Sequence, residues 1–243
     1  MTSRRDMSKG RRGFLRAAAA TLALSGLPSA AHAARGKLRI GIVGSGRIGG
    51  TLGRIWANAG HTVMFSSLDL EHDKALAASV GANARAGTPR EAAAFGEVLL
   101  VAVPYHALPS VGKELAELLK GKVVIDTCNP FPGRDGEVGI WAQKKGAGLA
   151  SAELLPGARI VRAFNAVGYT SLPLATQRQP RAGMPMAGDD AKANEIASLL
   201  VRDVGYEPVV IGPLVKGKYL VPGTPLAGER SPEEIRRIAA TLK

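Results

Sequence analysis

Cysteine is nearly missing from this chain of 243 residues, with Cys128 alone present. An intramolecular disulfide is therefore excluded, and no grouping of Cys128 with the four histidines has metal-ligand spacing, which sets aside a structural zinc site. Long apolar runs are also lacking. The longest candidate, Ala17 to Leu27, is rich in alanine and falls short of the ~20 residues that span a bilayer. Aromatic residues make up only 5%, and the formal charge of +12 is not gathered into a lysine-arginine run interleaved with them. Nucleic acid is accordingly not an expected partner.

Part of that charge belongs to a leader. Residues 1–33 hold six of the Lys and Arg residues against Asp6 alone. Arg11-Arg12-Gly13-Phe14-Leu15-Arg16 closes a basic segment, an apolar stretch follows to Leu27, Pro28 breaks it, and Ala31-His32-Ala33 offers small residues at a cleavage site. The layout is similar to a twin-arginine export signal, with Gly10 where Ser or Thr is usual. This implies a signal peptide over 1–33, a mature domain over 34–243, the twin-arginine machinery as a partner, and a periplasmic or secreted protein. The sequence leaves the oligomeric state open, a homodimer included.

Beyond Lys37, strand-length apolar runs alternate with helical periodicity, the pattern of βαβ units. Strands are expected at 37–43, 61–66, 82–86, 98–103, 122–127, 158–164, 183–187 and 207–211. Helices are expected at 47–59, 69–80, from Thr88, from Pro104 to Lys120, from a cap at Asp189 to Val204, and from Ser231. Thr88-Pro89-Arg90-Glu91 and Ser231-Pro232-Glu233-Glu234 both read as capping boxes. The segment 165–182 reads as irregular. The expected fold is α/β, a Rossmann-like doubly wound parallel sheet with a small C-terminal extension and no internal boundary.

The turn Gly44-Ser45-Gly46-Arg47-Ile48-Gly49 lies between the first strand and the first helix, where its glycines have separate tasks. Gly44 makes the tight turn, Gly46 lets backbone approach a pyrophosphate, and Gly49 lets helix pack close to sheet. The phosphates would meet the positive end of the helix. At the end of the second strand an NAD site usually carries an acid, and here Ser66 and Ser67 stand in that place. NADP is therefore favoured as the cofactor. NAD stays open because no arginine follows, Asp69 is within reach of a ribose, and Arg47 is the nearest candidate clamp for a 2′-phosphate.

Together with Val101-Ala102-Val103-Pro104-Tyr105, Val124-Ile125-Asp126-Thr127-Cys128-Asn129-Pro130, Arg162-Ala163-Phe164-Asn165 and Ala187-Gly188-Asp189-Asp190, this turn resembles the NADPH-dependent deazaflavin (coenzyme F-420) reductases and related dinucleotide-binding enzymes. The resemblance implies direct hydride exchange between NADPH and a deazaflavin. Val103, Pro104 and Tyr105 would line the nicotinamide side, and Asn129 and Pro130 would close the cleft. Two departures stand out. Ser67-Leu68 replaces the expected serine-arginine pair, and the segment from Phe131 to Gly148, with six glycines or prolines, is placed to reshape the acceptor pocket.

Among other candidates, His106 is placed to donate a hydrogen bond or proton, or simply to face solvent. Asn165 is placed to reach the nicotinamide amide, or to cap a loop. His61, His72, Cys128 and Asp126 read as structural, and Asp189 with Asp190 as helix caps. Hydride transfer needs apposition of two rings more than a protein acid or base, so a missing triad is no objection. The first expectation is thus an NADP-dependent oxidoreductase with a deazaflavin, flavin or metal-chelate acceptor. A non-enzymatic dinucleotide binder or sensor is the second, and imine reduction, for which the chain has little length to build a helical dimerisation region, is the last.

Overall fold

The computed structural model describes residues 36–242, so the leader read in residues 1–33 lies outside the described residues. One unit, Lys37–Lys243, holds every element below. The first half alternates β1 (Arg39–Val43), α1 (Arg47–Asn58), β2 (Thr62–Ser66), α2 (Leu70–Val80), β3 (Ala84–Ala86), α3 (Pro89–Phe95) and β4 (Val98–Val101). The second half runs α4 (Leu108–Glu114), α5 (Ala116–Leu119), β5 (Val123–Asp126), α6 (Pro132–Lys145), α7 (Ala147–Leu154), β6 (Arg159–Arg162), β7 (Gly183–Gly188), α8 (Ala191–Val204), β8 (Glu207–Gly212) and α9 (Pro232–Thr241).

The strands form one sheet in the order β3-β2-β1-β4-β5-β6-β7-β8. Parallel pairing runs unbroken from β3 to β6, β7 is antiparallel to β6, and β8 is parallel to β7. Central strands buried on both faces explain the near-continuous apolar runs in the sequence. Two cores follow, one per face. Trp56, Phe65, Leu200 and Val201 fill the first, under α1 and α8. Leu99, Leu108, Leu119, Ala142 and Ala150 fill the second, under α4 to α7. Trp56 also donates from Nε1 to the Leu200 carbonyl at 2.9 Å and meets Phe164 edge-on at 6.0 Å, tying α1 and α8 to the end of β6.

Both expected capping boxes form, at Thr88 and at Ser231. Two expectations need correction. Asp190, not Asp189, caps α8, because Ala193 N–H reaches Asp190 while Asp189 accepts from the Leu214 amide and pins the C-terminal extension. The single helix expected from Pro104 to Lys120 is a 3-10 turn at Tyr105–Ala107 followed by α4 and α5, broken at Leu115. The glycine-rich stretch after Phe131 folds as α6 and α7, with Gly136 at φ 55° allowing a kink. The stretch 165–182 is largely irregular as expected, with one 3-10 turn at Leu172–Gln177.

The C-terminal extension from Leu214 onward has its own small core of Ala187, Val209, Leu220, Leu226 and Ile235. It leans on the end of β6 through Gly228 N–H to the Ala166 carbonyl, at 2.8 Å. Residues 222–228 are thereby brought to the carboxyl ends of the parallel strands.

Candidate functional site

The carboxyl ends of β1, β4, β5 and β6 open into a cleft of about 690 Å³, at the place where the strand order reverses. Open α/β sheets bind ligands at such switch points. Arg47 and Ile48 of α1, Val103 and Pro104 after β4, Thr127 and Asn129 after β5, and the segment from Phe164 to Tyr169 after β6 line the cleft, with Phe131 and Arg134 from the start of α6.

The glycine turn has the geometry its spacing demands. Gly44 sits at φ 100°, and a Cβ there would lie 2.5 Å from the Ala102 carbonyl oxygen. At Gly49 a Cβ would lie 2.0 Å from the Gly44 carbonyl oxygen, so only a bare helix face allows this approach. Gly46 differs from both, because a Cβ there meets nothing within 4 Å. The Gly44 and Ser45 amides are spent on the Ser66 carbonyl, and Gly46 caps α1 without a side chain. The first-turn amides of α1 are therefore left to an anion, and the residues present fit a dinucleotide pyrophosphate.

At the end of β2, Ser66 is fully buried and donates to the Ile42 carbonyl at 2.6 Å, which spends its hydroxyl inside the sheet. Ser67 donates to Asp73 Oδ2 at 2.8 Å, and Ser45 donates to Asp73 Oδ1. Asp69 is occupied as the α2 cap, accepting from the His72 amide. Leu68 is fully exposed, and Arg47 lies with its guanidinium 5.5 Å from the Tyr169 ring centre.

Where β5 and β6 end runs a polar chain that the sequence did not announce. Arg162, with no exposed surface, pairs with the equally buried Asp126 at 2.5 Å and also donates to the Cys128 carbonyl and Asn129 Oδ1. Asn129 donates to the Asn165 carbonyl, and Asn165 donates to Asn129 Oδ1 at 3.4 Å. Asn165 Oδ1 and Arg162 Nε are buried without a protein partner. Phe164, at φ 64°, holds the backbone in a conformation that a bulky L-residue rarely adopts. Its ring, locked against Trp56, sets the direction in which Asn165 follows it.

The structure places the remaining sequence candidates as follows. Val103, Pro104, Asn129 and Asn165 line the cleft together. Tyr105 and Pro130 do not. The 3-10 turn swings Tyr105 into the second core, where its hydroxyl meets Ser151 and the Ala147 carbonyl, and burial, aided by Asp126, pushes its pKa up. Pro130 is buried with its carbonyl on Gln143. Cys128 is packed against the Val101 carbonyl, and burial, then Asp126, holds its thiol protonated. His106 also lies off the cleft wall. Its Nδ1 is 2.9 Å from Asp135, and half of its side chain is in solvent. His61 bridges the Leu38 amide and Asp203, consistent with a structural part, and His72 is exposed on α2.

Asp135 gathers Arg134, the Phe131 amide and His106 at the mouth of the cleft. Burial opposes its charge, and these hydrogen bonds overcome that penalty and hold its carboxyl well below the usual range. A depressed carboxylate contributes stability that is full above its unfolded pKa of about 3.9 and is lost as pH falls toward its folded value. Asp135→Asn is therefore expected to lower stability at pH 7 and to flatten the acid limb below about pH 4, read by urea denaturation as a function of pH. Parallel acid limbs in the two proteins would remove Asp135 from this account.

Residues 39–130 match the sequence profile of the family described as "NADP oxidoreductase coenzyme F420-dependent". The resemblance carried by the motifs thus holds over the dinucleotide-binding half. A hypothetical protein from Sinorhizobium meliloti superposes with a TM-score of 0.67 at 24% identity, over 79% of this chain and 93% of that one. A protein from Arthrobacter sp. FB24, assigned as an F420-dependent NADP-reductase, gives 0.63 at 18%, over 74% and 87%. An imine reductase variant from Myxococcus stipitatus in complex with NAD+ gives 0.55 at 17%, over 75% and 57%. At these identities the structural likeness is one of fold, and it establishes the Rossmann-like architecture.

Proposed function

We propose that this chain, an NAD(P)-dependent oxidoreductase, passes a hydride between NADPH and a planar acceptor of deazaflavin or flavin type. The observation that carries the reading is the lining of the cleft. It joins Arg47 and Ile48 of the uncapped α1 N-terminus, the apolar Val103 and Pro104, and the exposed rings of Phe131 and Tyr169. The helix end suits a pyrophosphate, and the apolar and aromatic lining suits a flat ring system laid against a nicotinamide. The Arthrobacter protein's assignment as an F420-dependent NADP-reductase supports the same acceptor class. NADPH is preferred because Ser66 and Ser67 stand where an acid would touch the ribose directly, and Asp69 is spent on its helix.

When bound, the dinucleotide supplies the hydride, and the protein's part is placement. The α1 amides would hold the phosphates. Val103 and Pro104 would give the ring an apolar surface that excludes water, and Asn129 and Asn165, which line the same cleft, brace each other. Arg162 fixes Asn129 from behind. No side-chain base is needed, since apposition of the two rings supplies most of the advantage.

The test is anaerobic mixing of the purified protein and NADPH with a deazaflavin, and separately with flavin mononucleotide, following oxidation of the nicotinamide. Acceptor-dependent turnover supports the proposal. Tight NADPH binding without turnover on either acceptor would leave a dinucleotide-binding protein in its place.

A further inference from the structure

The buried carboxylate of Asp73 has no part in the reading above. It sits one turn into α2, between Glu71 and Lys74, where a helix surface would normally place it in water, yet it has no exposed surface. Both oxygens are occupied by hydroxyl donors, Ser45 from the glycine turn and Ser67 from the end of β2. Among the described residues no cation pairs with it. A buried carboxylate with two neutral donors keeps most of its field, because low-dielectric surroundings screen it little.

Its position gives that field a target. Ser67 follows β2, where Rossmann folds read the 2′ position of the adenosine ribose. The Ser67 hydroxyl has one proton. With that proton on Asp73, the Asp69 carbonyl at 3.2 Å being its second acceptor, and its oxygen accepting the Asp69 amide at 3.1 Å, Ser67 offers an incoming ligand an acceptor and no donor. A ribose 2′-hydroxyl can donate to such an atom, whereas a 2′-phosphate, which only accepts, finds no proton there and an anion behind it.

We infer that Asp73 is a specificity-determining residue that acts through Ser67 to weaken the preference for a 2′-phosphate, so that the chain admits NADH alongside NADPH. This rests on the dinucleotide reading but not on the acceptor. Asp73→Asn removes the charge. The new amide group can also donate to Ser67, which turns the serine proton outward to the ligand.

The experiment is calorimetric or fluorescence titration of wild-type protein, Asp73→Asn and Ser67→Ala with NADPH and with NADH, without any acceptor. For Asp73→Asn the ratio of the NADH to the NADPH dissociation constant is expected to rise about tenfold, mainly through tighter NADPH binding. For Ser67→Ala, which removes the acceptor offered to a 2′-hydroxyl, NADH affinity is expected to fall about fivefold. An unchanged ratio in Asp73→Asn, with both constants weakening together, would make Asp73 a clamp of the glycine turn and overturn the inference. Should Asp73→Asn fail to fold, Ser67→Ala decides on NADH alone, a weakened NADH affinity supporting the inference and an unchanged or tighter one overturning it. Wild-type protein that binds neither nucleotide would overturn the dinucleotide reading itself, and this inference with it.

Discussion

Gly46→Val is expected to lower NADPH affinity a hundredfold or more, equivalent to about 3 kcal/mol, while the protein stays folded. The reason lies in what surrounds each glycine of the turn. A Cβ at Gly46 meets no protein atom within 4 Å, and its φ of −66° suits any L-residue, so nothing in the fold resists a side chain there. The branched side chain would instead fill the space over the α1 amides that the pyrophosphate needs. Valine is also a poor N-cap, which costs about 1 kcal/mol of stability and, in a domain of this size, ~2–4 °C in Tm. Gly49→Val is the contrasting variant. Its Cβ would lie 2.0 Å from the Gly44 carbonyl oxygen and 3.0 Å from Ile42, both deep in the β1–α1 junction, so stability itself should collapse. Titration with NADPH beside thermal denaturation separates the two. A Gly46→Val protein that binds NADPH as the wild type does would remove the turn from the site.

That contrast was largely legible in the sequence, because the tasks of the turn are local. A strand, a turn and the first turn of a helix are contiguous, and their spacing fixes which glycine is squeezed and which is open. The capping boxes at Thr88 and Ser231 were legible for the same reason. What escaped depends on contacts across the chain. Asp73 looks solvent-facing on a helix of weak amphipathy, and only the approach of α2 to Ser45 and Ser67 buries it. Tyr105 continues an apolar run into the cleft on paper, yet a single 3-10 turn after Pro104 sends it to Ser151, 46 residues away in the chain. The segment of α6 and α7 carried no element assignment in the sequence, and its Gly148 lets α7 approach Leu214, whose carbonyl oxygen would stand 2.2 Å from a Cβ there. Arg162 carries a faint signal in the sequence, a second arginine after Arg159 in a short strand beside one that ends in Asp126.

Arg162→Met should be the most damaging of the conservative-volume substitutions. Asp126 would remain fully buried, keeping the Cys128 amide on Oδ1 but losing the guanidinium from Oδ2, and an uncompensated buried charge costs about 3–5 kcal/mol. The neutral pair Asp126→Asn with Arg162→Met removes that charge and still offers an acceptor to the Cys128 amide. It is expected to recover most of the lost stability in urea denaturation, since buried ion pairs replaced by neutral groups of similar size are often close to isoenergetic. Binding should not recover with it. Asn129 Oδ1 is held by Arg162 Nη2 at 3.2 Å, and Asn129 in turn holds the Asn165 carbonyl at 2.9 Å, so the methionine leaves both asparagines free to turn away from the nicotinamide end. The double variant should therefore be a stable protein with NADPH affinity lowered about tenfold, in keeping with the loss of one or two hydrogen bonds to a charged group. If stability and binding return together, the Asp126–Arg162 pair serves the core alone; if stability returns without binding, the buried arginine sets the position of the two asparagines at the mouth of the strands.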